Sequence, residues 1–323
     1  MRRLLFGFLA ALLVVPLSLM SALAAQDASP AAADSAFADL GLPELNVTMT
    51  TTGYEGLPEE IEAGRYLVTI NAAADLEFGG GIGFVRPPEG MTADEFLAIH
   101  AEPGPAEIEG EVPGGTPVLA DDATPVASAP PQEIFEATYA GGIFVPSGQS
   151  SQVVLDLTPG EWIAWADDPE ATQEPVRLTV TGEMPAELPE PQAGATLTLG
   201  EYVIGITAGE LTAGQQVVRL EHLGNQPHFV FMGRIADTVT VTEADIEAVL
   251  EAEMTGTTAD VDFNPEEDFM PVFGTATQSY GTEMWVSMDL EPGTYGLVCF
   301  FPDIGDGHPH AYKGMFTLLE VGE

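Results

Sequence analysis

A single cysteine, a single lysine and five histidines are spread over 323 residues. One cysteine excludes an intramolecular disulfide framework, because bridges consume cysteines in pairs. Eight bases stand against 51 acids, for a formal charge of −43. Such a surface repels nucleic-acid phosphates and anionic headgroups, and it attracts basic partners over a Debye length of about 10 Å at modest salt. A saline habitat would select the same excess, so charge by itself names no partner. No GxSxG, HExxH, P-loop or dinucleotide glycine pattern occurs. The cluster Gly79–Gly83 runs into Phe84-Val85-Arg86-Pro87, which cannot continue as a phosphate-binding helix.

What is present begins with Met1-Arg2-Arg3, an apolar run from Leu4, and Ala22-Leu23-Ala24. A charged start, a hydrophobic stretch and an A-x-A end read as a signal peptide over residues 1–25. The chain is then exported, to a periplasm or to the outside, and loss of Arg2 and Arg3 takes the charge to −45. An uncleaved anchor is the alternative, against which Pro16 and the small-residue end argue. Membrane contact is expected only through this segment. Residues 26–42, rich in Ala, Ser, Asp and Pro at their start, read as a flexible tether.

Two halves follow that look like a duplication. Ala63-Gly64 leads an apolar run, and Ala213-Gly214 leads another 150 residues later. Thr92 to Glu95 opens a short helix with a capping box, and Thr242 opens one at the same offset. Leu157-Thr-Pro-Gly-Glu-Trp162 returns as Leu290-Glu-Pro-Gly-Thr-Tyr295, 133 residues on. Ala101 to Pro131 absorbs the difference as a long surface loop. Short strands broken by Gly/Pro turns, with one helical insertion per half, argue for an all-β fold. Two tandem Greek-key β-sandwich domains are expected, at 43–183 and 195–323, joined by the Pro-punctuated linker 184–194.

The chemistry concentrates in Gly293–Val321. Cys299 ends an alternating stretch, a Pro/Gly/Asp loop carries His308 and His310, and Met315 precedes the last apolar run. A thiolate, an imidazole and a thioether on one loop suit copper in a trigonal His₂Cys site with a long axial Met. His228, in Gly224-Asn-Gln-Pro-His228, is the candidate for the second imidazole. An unpaired cysteine buried as core, and a turn histidine held by hydrogen bonds, are the bland alternatives.

These segments resemble the ligand segments of the blue copper proteins, the cupredoxins such as plastocyanin. The resemblance covers roughly the last 130 residues. It rests on Asn225-Gln226-Pro227-His228, on the lead-in Pro292-Gly293-Thr294-Tyr295, and on Cys, His and Met in that order. It implies one type 1 copper ion held by His228, Cys299, His310 and Met315. His310 is preferred to His308 because five residues separate it from Met315, the family's common spacing. Phe229 departs from the pattern, standing where the family often has an Asn that braces the cysteine loop. His222 and His100 receive no metal role. In the first half the offsets place Phe78 opposite His228 and Ala166 opposite Cys299, so that half carries no ligands.

The function expected is one-electron transfer without substrate turnover, to a redox protein partner, a basic one being favoured by the acidic surface. A collar of Phe300, Phe301, Pro302, Ile304 and Pro309 is expected around an exposed imidazole edge. A copper carrier or sequestration protein, and a metal-free interaction module of the same fold, are the alternatives.

Overall fold

The structure, a computed structural model, describes residues 36–77, 79–101, 129–166, 171 and 173–322. The signal segment, Phe78 and most of the loop expected over 101–131 lie outside the described residues.

The first half comprises β1 (Glu44–Met49), β2 (Tyr54–Glu55), β3 (Glu60–Glu62), β4 (Gly64–Ala72), β5 (Gly79–Arg86), α1 (Ala93–Ala101), α2 (Gln132–Glu136), β6 (Thr138–Pro146), β7 (Ser150–Leu157), β8 (Gly160–Trp165) and β9 (Val176–Thr181). The second comprises β10 (Ala195–Gly200), β11 (Val203–Gly209), β12 (Gly214–His222), β13 (Phe231–Ile235), α3 (Glu243–Thr255), α4 (Pro265–Asp268), β14 (Phe269–Gly274), β15 (Glu283–Leu290), β16 (Gly293–Val298) and β17 (Phe316–Val321). The period-two pattern drives the strands: on β1, Leu45, Val47 and Met49 are buried while Glu44 and Asn46 are exposed. The glycine cluster rejected as a phosphate loop is the start of β5.

The repeat is borne out strand by strand. β4 and β12 match at an offset of 150, and β7/β15 and β8/β16 match at 133. β1 pairs parallel with β4 as β10 does with β12, and each half adds a second sheet, ordered β3-β9-β8-β5-β6 and β14-β13-β16-β17. Both capping boxes form, Thr92 with Glu95 and Thr242 with Asp245. The sequence pattern did not show that the halves share a sheet. β7 and β15 pair antiparallel, giving one eight-stranded sheet, β11-β10-β12-β15-β7-β4-β1-β2. Val153 faces Val286, its own counterpart under the 133-residue offset, so the junction is a local two-fold.

Two expectations need correction. The segment read as a tether to residue 42 is packed at its end: Phe37 is 1% exposed, and with Leu42 it joins Leu67, Val154 and Trp285 on the outer face of the shared sheet. Aromatic burial outweighs the polar composition around it. Each half also has more helix than one insertion, with α2 and α4 added and a 3₁₀ turn at His310–Lys313. α3 matters most here. Its Ile246 and Leu250 pack on Val298, Ala311 and Tyr312, which buries β16 on both faces where alternation was expected.

Candidate metal centre

The longer of two equivalent loops carries the site. β8 and β16 match at 133 but β9 and β17 at 140, so the loop between the last two strands is seven residues longer in the second half. Cys299 follows β16 directly. Its N–H donates to Met315 O at 3.1 Å, and its carbonyl accepts from Ala311 N–H at 2.8 Å. His310 N–H donates to Phe301 O at 2.9 Å, and Met315 N–H to His310 O at 3.0 Å. Gly314, at φ +93°, closes the 3₁₀ turn and lets the chain double back to Met315. Main-chain bonds thus tie Cys299, His310 and Met315 to one another. His228 lies outside the named strands, exchanging backbone hydrogen bonds of 3.0 and 2.8 Å with Gln278 just before β13.

The three donors converge. Cys299 Sγ is 3.9 Å from His228 Nδ1 and 3.8 Å from His310 Nδ1, and the two Nδ1 atoms are 2.9 Å apart. A point equidistant from all three lies about 2 Å from each, the length of a bond from a first-row metal to nitrogen or thiolate. All three side chains are fully buried, as is Met315, which shares a hydrophobic core cluster with Cys299. His308 stays outside the cluster, half-buried beside Tyr312.

Burial sets the protonation of the donors. It lowers the pKa of His228 to about 2, with His222 and His310 adding repulsion, and that of His310 to about 4. Both imidazoles are therefore neutral lone-pair donors. Burial pushes the Cys299 thiol up to about 12, against hydrogen bonds from the backbone of Phe229 and Phe301. A metal ion reverses that preference by supplying the positive charge that water cannot. The departure at Phe229 is thereby explained in part, since the contact to sulfur comes from its main chain.

Two neighbours were not legible in the sequence. His222, which appeared isolated, stacks on His228 with centroids 4.9 Å apart and planes at 19°. It is fully buried because β12 points Val218, Leu220 and His222 to one face. Gln226 reaches His310: its Oε1 lies 3.3 Å from Nε2 of that ring. Gln226 also donates to Asp303, whose carboxylate accepts from Tyr202, Lys313 and Gly305. Burial would raise the Asp303 pKa, but these donors outweigh it and hold the group well below the usual carboxylate range.

The expected collar around an exposed imidazole edge is not what forms. Tyr202 meets the His310 ring edge-on at 5.3 Å, and Phe301, itself buried, lies on another side at 5.9 Å. Phe300 packs toward α3, Pro302 and Pro309 are half-buried and bridge to each other, and only Ile304 is well exposed. Phe301 also touches Phe135 and Tyr139, so the first half forms one wall of the centre.

An all-β chain that brings a buried thiol, two neutral imidazoles and a nearby thioether together defines a class: the cluster fits a type 1 copper site, and copper is the metal the donor set suits. No protein-family model and no curated protein matches the sequence. Among solved structures the chain is similar to auracyanin B, at 21% identity over 39% of this chain and 86% of that one, with a TM-score of 0.23. It is similar to auracyanin from Roseiflexus castenholzii, at 18% identity over 40% and 95%, TM-score 0.26. Copper nitrite reductase from Nitrosomonas europaea aligns over 86% of this chain and 93% of its own, at 9% identity and TM-score 0.23. Likenesses this remote assign no activity, which rests on the donor set alone.

Proposed function

We propose that the chain is an exported one-electron carrier with a single type 1 copper ion held by His228, Cys299, His310 and Met315. The observation that carries this reading is the convergence of Sγ and two Nδ1 atoms within 3.9 Å in a fully buried pocket. Copper bound there would exchange single electrons between Cu(I) and Cu(II). The chain's own part is to hold a thiolate and two fixed imidazoles in one arrangement for both oxidation states, and to exclude water.

Burial of every donor favours this reading over substrate turnover and over copper delivery. Turnover needs a coordination position open to substrate, and the three convergent donors have no exposed surface. A carrier that hands copper on needs a donor within an acceptor's reach, and His228, Cys299 and His310 are all buried. The partner in this proposal is a redox protein with a basic face, drawn by the −43 charge. Val203, Leu223 and Ile304, 61%, 52% and 46% exposed, follow directly on Tyr202, His222 and Asp303, which surround the site, and offer apolar contact. Export rests on the N-terminal segment. Among the described residues no helix is long and apolar enough to cross a membrane.

Titration of the full chain with Cu(II), followed optically and by voltammetry, tests the proposal. One equivalent should give an intense thiolate-to-copper band and a reversible one-electron wave. Substoichiometric, colourless binding would reject it.

A further inference from the structure

This inference rests on the copper reading of the site. The position after His228 holds Phe229, so the side-chain brace expected there is missing. The two ligand segments are joined instead by Gln226, two residues before His228. Its Oε1 accepts from Ile304 N–H at 2.7 Å, inside the loop between Cys299 and His310. Its Nε2 lies 2.7 Å from Glu201 Oε1, 2.9 Å from Tyr202 Oη and 3.1 Å from Asp303 Oδ2. The Ile304 N–H can only donate and the two carboxylates can accept, so the amide has one orientation: oxygen toward Ile304, nitrogen toward the acids.

That orientation decides the state of His310. The Gln226 oxygen only accepts, so the ring nitrogen 3.3 Å from it must carry the proton. His310 is then the Nε2–H tautomer, with its Nδ1 lone pair facing Cys299 and His228. The 2.9 Å contact between the two Nδ1 atoms fits, with His228 as donor while no metal is bound. Tyr202 completes the cover. It is the only non-glycine residue at positive φ among those described, at +57°, and its hydroxyl is held by Asp303 and Gln226.

We propose that Gln226 is the positioning residue of the centre. It selects the metal-binding tautomer of His310, ties the His228 turn to the Cys299–His310 loop, and with Tyr202 keeps the imidazole from solvent. A carbonyl that accepts from the far nitrogen of a ligand imidazole also makes that ligand more basic, and outer partners of this kind are worth about 10- to 100-fold in metal affinity.

The test begins with the metal-free, ¹⁵N-histidine-labelled full chain, in which long-range ¹H–¹⁵N spectra report each tautomer. His310 should be Nε2–H, with a slowly exchanging ring proton. Gln226→Leu should mix the tautomers and speed that exchange. It should weaken copper binding about 10- to 100-fold and raise the reduction potential, because a poorer donor favours Cu(I). A wild-type His310 protonated on Nδ1 would overturn the proposal without recourse to any variant. So would a Gln226→Leu chain with wild-type tautomer, affinity and potential. Should the tautomer follow Gln226 while no form of the chain takes up copper, the positioning role stands and the copper reading fails.

Discussion

Cys299 Sγ lies 3.9 Å from His228 Nδ1 across 71 residues of sequence. The antiparallel pairing of β13 with β16, Phe231 opposite Val298, holds the two segments side by side, so the contact belongs to the fold rather than to a mobile loop.

Replacing that sulfur gives the most direct check. Cys299→Ser should abolish the intense visible band, because a neutral buried hydroxyl offers copper no thiolate charge transfer. Absorption of the copper-loaded variant measures this, and retention of full colour would show the ligand set to be wrong.

The two histidines of the loop should separate cleanly. His308→Ala removes a half-buried ring outside the cluster and should leave colour and stoichiometry intact, whereas His310→Ala should lose or strongly alter both. Parallel copper titrations decide the matter, and the opposite pattern would transfer the ligand role to His308.

Acid should unfold the metal-free protein early. His222 and His310 have folded pKa values of about 4 and His228 of about 2, against 6.5 for the free group, chiefly through burial. As pH falls below 6.5 the unfolded chain takes up protons that the folded chain refuses, so stability falls. It is complete above 6.5 and lost toward 4, at up to about 1.4 kcal/mol per pH unit for each histidine. Urea unfolding across this window checks the slope, and a flat profile would contradict it.

Phe229→Asn restores the residue expected from the family resemblance, yet it should leave the copper spectrum unchanged. The hydrogen bond to sulfur at this position is a backbone one, and Gln226 already braces the loop. A clear shift of the band would show that the Phe229 side chain shapes the centre.

Phe37→Ala should cost about 3–5 kcal/mol of stability, the range for emptying a buried aromatic site. Chemical denaturation measures the loss. A change within error would return residues 26–42 to the status of a tether.

Much of the fold was legible because strands and turns are local. The offsets of 150 and 133 predicted the pairs β4/β12, β7/β15 and β8/β16, since repeated Gly/Pro punctuation sets where each strand starts and stops. The helix starts at Thr92 and Thr242 were readable for the same reason. The candidate donors were legible through residue type and order: a lone cysteine with His310 and Met315 on one loop is chemically distinctive.

Partnership between side chains was not legible. Gln226 and Tyr202 carry no chemical signature until the loop folds over His310, and His222 looked isolated because stacking depends on where β12 and the His228 turn meet. The sequence by itself determined two β-rich repeats, with every candidate ligand in the second. Only the tertiary structure decided that the repeats merge through Val153 and Val286, that Phe37 is core, and that His310 is sealed from water. Strand periodicity is written into neighbouring residues, whereas burial and hydrogen-bond partners depend on packing between elements far apart in the chain.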